Sequence, residues 1–331
     1  MKLNLSTFNF KTIYHIVIFV CIFLIIFGIV SLCFYDRDKN MQRWNNIYND
    51  NEKLDIVFFG NSHNFTSFNS EILTNEGIIS TNIGVPAEVF SQTYHNIIEV
   101  VKNNKPKIIV IELNSIFYSM DYNYNDRLTY TCKNLYSMKM TSNRLNSMIA
   151  SLETKDYIYG LIPLFLFHDN WADFDKYLYN LKSHFKVKTQ NRGYQYIHTD
   201  PIKSKLWYLL EKEYRDKRYK ELKESSTEIS KQNLEYLEAI VDICNKEEIG
   251  LVFVKTPIIS NHWCGISESL KKIKSTYGIS IIDYNFMFEE LKLAPDDFVD
   301  TEHLSTEGSI KITRHIKNYI LKNYQSINIL N

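Results

Sequence analysis

Cysteine, glycine and proline are all scarce here: five, ten and six among 331 residues. Two of the cysteines, Cys21 and Cys33, fall in an apolar N-terminal run, leaving Cys132, Cys244 and Cys264. An odd number without a C-x-x-C spacing points to free thiols, not to a disulfide framework. Glycine and proline usage well below the averages of about 7% and 5% makes each one informative. No internal repeat or low-complexity tract is present. Excess charge is missing too, since 38 basic side chains balance 38 acidic ones. A nucleic-acid partner, which selects a basic surface, is therefore not expected. With 45% hydrophobic residues the chain is also too apolar for a disordered one. His184 and His198 have no helical or hairpin spacing to a third ligand, so no metal site is expected.

The one long charge-free stretch runs from Thr12 to Tyr35. At ~1.5 Å per residue it crosses the ~30 Å hydrocarbon core of a bilayer as a helix. The sequence after it, Phe34-Tyr35-Asp36-Arg37, lacks the small-residue site of a cleaved signal peptide, so an uncleaved single-pass anchor is expected. Val30-Ser31-Leu32-Cys33 resembles a lipoprotein box, but Leu32 is too large before the cysteine. Lys2 and Lys11 precede the run and Arg37, Lys39 and Arg43 follow it, so positive charge does not choose an orientation. The expected organisation is an anchor over 1–35, a linker over 36–53 and one domain over 54–325.

Within that domain, strand-like and helix-like runs alternate. The strand runs are Leu54–Phe59, Ile78–Ile83, Lys107–Leu113, Gly250–Lys255 and Ile279–Asp283. Helical periodicity marks Ala87–Asn103, Asn233–Glu248, Glu268–Tyr277 and Ser305–Tyr324. Strands separated by helices pair in parallel with helices on both faces, which predicts a doubly wound α/β sheet. Gly250 and Gly278 stand just before strands, where helix C-caps are expected. Residues 116–228 break the pattern, with apolar patches at Tyr157–Phe167 and Trp207–Leu210. They read as a mainly helical insertion, capping the carboxyl edge of the sheet and choosing the substrate.

Chemistry concentrates at strand ends. Ser62, in Gly60-Asn61-Ser62-His63, follows the first strand and precedes a helix. Ligands of open parallel sheets collect at that position, although a small polar residue there also serves as a cap. A serine nucleophile needs a base. Asp300-Thr301-Glu302-His303 offers one: an aspartate three residues before a histidine can hold one ring nitrogen while the other faces outward. The alternative is a surface loop with a capping aspartate and a solvated histidine.

Together these residues resemble the SGNH hydrolase superfamily, also called the GDSL family. The first block, Gly-Asp-Ser in its common form, is Gly60-Asn61-Ser62 here, with the nucleophile kept. The second supplies an oxyanion glycine and corresponds to Asn82-Ile83-Gly84. The third, usually Gly-x-Asn-Asp, is Glu112-Leu113-Asn114-Ser115, so its glycine and aspartate are absent. The last, Asp-x-x-His, is met by Asp300 and His303. An N-terminal span, a GxSH-type first block, the Asn82–Pro86 segment and the insertion are similar to membrane-anchored SGNH-like proteins of bacterial cell-surface polysaccharide O-acylation, relatives of those in alginate acetylation and teichoic-acid D-alanylation.

The resemblance implies a three-layer, flavodoxin-like sheet with Ser62, His303 and Asp300 as catalytic triad. Gly84 and Asn114 would serve the oxyanion hole beside the Ser62 N–H. It implies acyl transfer from an acyl ester through an acyl-serine to a polysaccharide hydroxyl, or to water as an esterase. A catalytically silent scaffold for glycan or a membrane acyltransferase is the remaining alternative. No cofactor is implied. A membrane-bound O-acyltransferase is the implied partner, and the implied location is the cell membrane with the domain outside. His63, beside the nucleophile, either touches the acyl substrate or serves the turn. His168 and Trp171 either line a sugar site or pack in a loop.

Overall fold

Short runs of β-branched and aromatic residues separated by amphipathic helices produce the α/β order that the sequence predicts. The computed structural model describes residues 10–34, 39–48, 52–167, 191–197, 210–211, 217, 228–259 and 266–325. In chain order the elements are α1 (Phe10–Phe34), α2 (Lys39–Ile47), β1 (Ile56–Phe59), α3 (Ser62–Ser67), α4 (Ser70–Asn75), β2 (Ser80–Asn82), α5 (Phe90–Asn103), β3 (Ile108–Glu112), α6 (Tyr124–Ser137), α7 (Ser142–Ser151), α8 (Tyr157–Leu161), α9 (Pro163–Leu166), α10 (Lys231–Lys246), β4 (Gly250–Lys255), α11 (Ile266–Tyr277), β5 (Ile281–Asp283) and α12 (Thr306–Asn323). The chain divides into two compact units, residues 1–37 with 158–187, and residues 38–157 with 188–331.

The larger unit holds a five-stranded sheet in the order β2-β1-β3-β4-β5, every pairing parallel. Phe58 lies opposite Val110 and Phe59 opposite Ile111, and Val110 in turn opposite Val252. Side chains alternate across the strands. Val57, Phe59, Ile109, Ile111 and Phe253 enter one core with Phe90, Ile97, Leu237 and Ile240 of α5 and α10. Ile56, Phe58, Ile108, Val110, Val252 and Val254 enter the other with Leu73 of α4 and Ile312, Ile316 and Ile320 of α12. Coverage on both faces explains why β1 and β3 read as unbroken apolar runs. The result is the expected doubly wound, three-layer fold. Its order reverses direction between β1 and β3, and in such sheets ligands bind in the crevice outside the carboxyl ends at that reversal.

Three expectations are corrected. Residues 36–53 are not a free linker, because they contain α2. Trp44 and Ile47 of α2 are buried in the first core, and Asn46 donates to Thr81 Oγ1 at 2.9 Å. The sequence hides this because six of its nine residues are polar. Gly250 is no helix cap: it opens β4 against the Tyr324 ring, and Glu248 takes the left-handed backbone (φ 57°) after α10. Gly278 does adopt the left-handed cap conformation, at φ 62°. The insertion is mainly helical where described, but it is not simply a cap over the sheet edge. Instead α6 packs on α2, and α7 packs on α5.

Residues 191–197 return to the sheet as a strap. Arg192 pairs with Glu52 at 2.8 Å, and Thr81 Oγ1 donates to the Arg192 carbonyl. Gln195 N–H donates to the Phe65 carbonyl at 3.0 Å, while the Tyr194 and Ser309 hydroxyls meet at 2.7 Å. In the smaller unit, α1 carries Lys11 in its first turn as its only Lys, Arg, Asp or Glu, exposes apolar side chains along its length, and is long and apolar enough to cross a membrane.

Candidate active site

Ser62 is placed by a sharp turn from β1 into α3. Gly60 has φ +139°, a backbone that side-chain-bearing residues rarely adopt, and a Cβ there would come within 2.9 Å of Glu112 Cβ. Asn61 then caps α3, its Oδ1 accepting the His63 N–H at 3.0 Å. Ser62 is thus the first helical residue. Its N–H, among the donors that a helix leaves unpaired at its start, has no partner among the described residues.

The base arrives on a loop pinned at both ends. Phe298 and Leu304 are buried and bridge one another, and the Val299 N–H donates to the His303 carbonyl at 3.0 Å. Between them Asp300 Oδ1 accepts the N–H groups of Glu302 (2.7 Å) and His303 (2.8 Å). His303 Nδ1 lies 2.9 Å from Asp300 Oδ2, and His303 Nε2 lies 2.8 Å from Ser62 Oγ. Partial burial would raise the Asp300 carboxyl, but the His303 ring and the two backbone donors outweigh it and hold it below its usual range. An ionised Asp300 fixes the proton on Nδ1, which leaves Nε2 free to accept the Ser62 O–H. The structure therefore brings Ser62, His303 and Asp300 into one hydrogen-bonded line at the β1/β3 reversal.

The oxyanion expectations need revision. Gly84 is where the sequence places it, and its lack of a side chain is required: a Cβ would sit 2.7 Å from Asn64 Nδ2 and 2.9 Å from the Gly60 carbonyl. Its N–H, however, donates to Asn82 Oδ1 at 2.9 Å and is not free for a substrate. Asn82 accepts from Asn64 Nδ2 on the same oxygen (2.7 Å) and donates to the Asn64 carbonyl (3.2 Å). Asn114 follows β3, the neighbour of β1. Its side chain is fully buried, and neither polar atom of its carboxamide has a partner among the described residues. Buried amides left unmatched by other protein groups are rare.

His63 does not present its ring to a substrate. It is 3% exposed, and its ring lies over the His303 ring with centroids 4.9 Å apart and planes within 20°. Burial first, then the positive Lys255 nearby, hold its pKa well below the ordinary value, so it is neutral. Lys255 ends β4 and Glu112 ends β3, and the two face each other at 3.8 Å with side chains 1% and 0% exposed. Glu112 also accepts the Asn114 N–H (2.9 Å) and the Thr256 hydroxyl (3.2 Å). Burial raises its pKa against the pull of Lys255. Sequence patterns missed Asn82, Asn64, Glu112 and Lys255, which meet only through strand register. His168 and Trp171 lie outside the described residues, and no cluster able to hold a metal occurs among the described ones.

No family model matches the chain, and no curated protein matches it. Among solved structures it is similar to a Bacteroides fragilis NCTC 9343 protein, provisionally assigned as an acylhydrolase and solved at 2.00 Å. Identity is 14%, the TM-score is 0.41, and the match covers 86% of this chain and 97% of that one. A likeness at that distance carries no argument about chemistry, which rests on the residues above.

Proposed function

We propose that the chain is a membrane-anchored serine acyl-transfer enzyme. The observation that carries this reading is the continuous Ser62–His303–Asp300 hydrogen-bonded line at the carboxyl ends of the sheet. Ser62 Oγ attacks the carbonyl carbon of an acyl donor while His303 Nε2 takes its proton, and Asp300 stabilises the imidazolium. The Ser62 N–H and the Asn114 carboxamide stabilise the oxyanion, a contribution typically worth about 3–4 kcal/mol per donor. Collapse expels the donor's alcohol or thiol, which leaves with the proton from His303. A hydroxyl then attacks acyl-Ser62, passing its proton to His303 and restoring the serine. Following the resemblance, that hydroxyl belongs to a surface polysaccharide, α1 is the anchor, the domain lies outside the cell, and a membrane-bound O-acyltransferase supplies the acyl group.

Hydrolysis is the second reading. Asp300 is 52% exposed and His303 24% exposed, so the triad is open to water. The 2.8 Å contact between Ser62 and His303 favours either enzyme over a silent scaffold. The test uses the full chain in detergent with p-nitrophenyl acetate. Wild type should acquire an acetyl group on Ser62, and Ser62→Ala should not. Oligosaccharide acceptors should hasten loss of the adduct for a transferase and leave it unchanged for an esterase. A folded wild type that forms no adduct with any activated ester overturns the enzyme reading.

A further inference from the structure

Residues Tyr157–Phe167 read Tyr-Ile-Tyr-Gly-Leu-Ile-Pro-Leu-Phe-Leu-Phe, eleven residues without a charge. Such a segment belongs in a core, yet of these residues only Gly160 and Phe167 are buried. Ile158, Leu161 and Phe165 are 41%, 40% and 40% exposed. The segment folds as α8 and α9, and α9 packs alongside α1 within the same compact unit. Since α1 is apolar on every side, its own stability demands an apolar surrounding. The exposed face of α8–α9 is continuous with that demand.

We propose that α8–α9 is a second membrane-inserted element, seated in one leaflet against α1 and not crossing the bilayer. This rests on reading α1 as a span. Length decides against a second crossing, because eleven residues reach about 16 Å even as one helix, roughly half the ~30 Å hydrocarbon core. The chain therefore enters and leaves on one face, with Lys155 and Asp156 before the segment and Asp169 after it. Tyr157 and Tyr159 supply amphipathic rings suited to the headgroup boundary.

The break between the helices also suits lipid, where unmatched backbone polar groups are not tolerated. The Ile162 N–H donates to the Ile158 carbonyl (3.0 Å), and the Ile162 carbonyl accepts the Phe165 N–H (3.2 Å). Pro163 has no N–H to satisfy. The Phe167 N–H closes the second helix on the Pro163 carbonyl at 3.1 Å.

The test places single cysteines at 23, 155, 161 and 165 in the full chain, with Cys21, Cys33 and Cys264 changed to Ser and the buried Cys132 and Cys244 kept. Each is labelled with an environment-sensitive fluorophore in phosphatidylcholine vesicles. Labels at 161 and 165 should be quenched several-fold more by spin-labelled lipid than the label at 155, and several-fold less by iodide. Iodide quenching at 161 and 165 equal to that at 155 overturns the proposal by placing the segment in water. Protection from both quenchers overturns it by placing a protein surface there. The label at 23 reports α1 separately; without lipid quenching at 23, the anchor reading falls and takes this proposal with it. For the unaltered chain, proteinase K on sealed vesicles should leave protected peptides covering both 12–34 and 157–167, and recovery of the α1 peptide alone overturns the proposal.

Discussion

At Ser62 a helix start, a strand end and an imidazole meet, so single substitutions should separate their contributions. His303→Ala removes the base and should slow Ser62 acetylation by several orders of magnitude. Asp300→Asn should leave the fold intact and cost on the order of 10⁴-fold, the loss that follows when the wrong imidazole tautomer is held. Asn114→Ala should lower the acetylation rate about 10²–10³-fold with little change in ester binding, if its unmatched carboxamide meets the oxyanion. His63→Phe keeps a flat ring against His303 and should retain most activity, whereas His63→Ala should lose it. His63 also governs a pH effect. Its folded pKa is depressed while the unfolded chain titrates near 6.5, so below that pH the unfolded state takes up a proton that the folded state refuses. Stability is therefore lost on acidification, by up to about 1.4 kcal/mol per pH unit for this group. Melting of His63→Phe should fall less than wild type between pH 7 and 5. The triad residues were legible in the sequence because each stands in a short local pattern beside its own strand or helix. Asn82, Glu112 and Lys255 were not, since their roles exist only once strands distant in sequence lie in register.

Among the elements, α2 carries the clearest prediction. Trp44 is buried and donates to Asn134 Oδ1 at 3.2 Å, and Arg43 donates to the Gly84 carbonyl while lying over the Phe65 ring. Trp44→Ala should cost about 3–5 kcal/mol, read as a lower midpoint in denaturant, whereas a free linker would show no change. The strands and the long helices were visible as apolar runs and 3.6-residue periods. By contrast, α2 is short and rich in polar residues, and its fit depends on a pocket formed by β2 and α6, so no local pattern announces it. The strap at 191–197 is similar: Gly193 is needed because a Cβ would collide with the Asn82 carbonyl, a contact between residues far apart in the chain. Gly193→Ala should lower both stability and acetylation rate, because Asn82 organises Gly84 and Asn64 on the other side.

For the whole molecule, 241 positions separate Ser62 from the imidazole that it meets at 2.8 Å. At roughly 5–20 residues per second of synthesis, the serine precedes its partner by about 10–50 s. The sheet cannot supply the base early, because His303 is delivered by the loop between the bridged residues Phe298 and Leu304, and α12 docks that loop from the chain's far end. Closing so long a loop is slow relative to local helix formation. On the proposed mechanism a nascent chain is thus a latent one, carrying a nucleophile with no base, and it turns reactive only once α12 docks. Pulse-labelling with an activated ester should therefore mark only chains whose α12 is already protected from proteolysis.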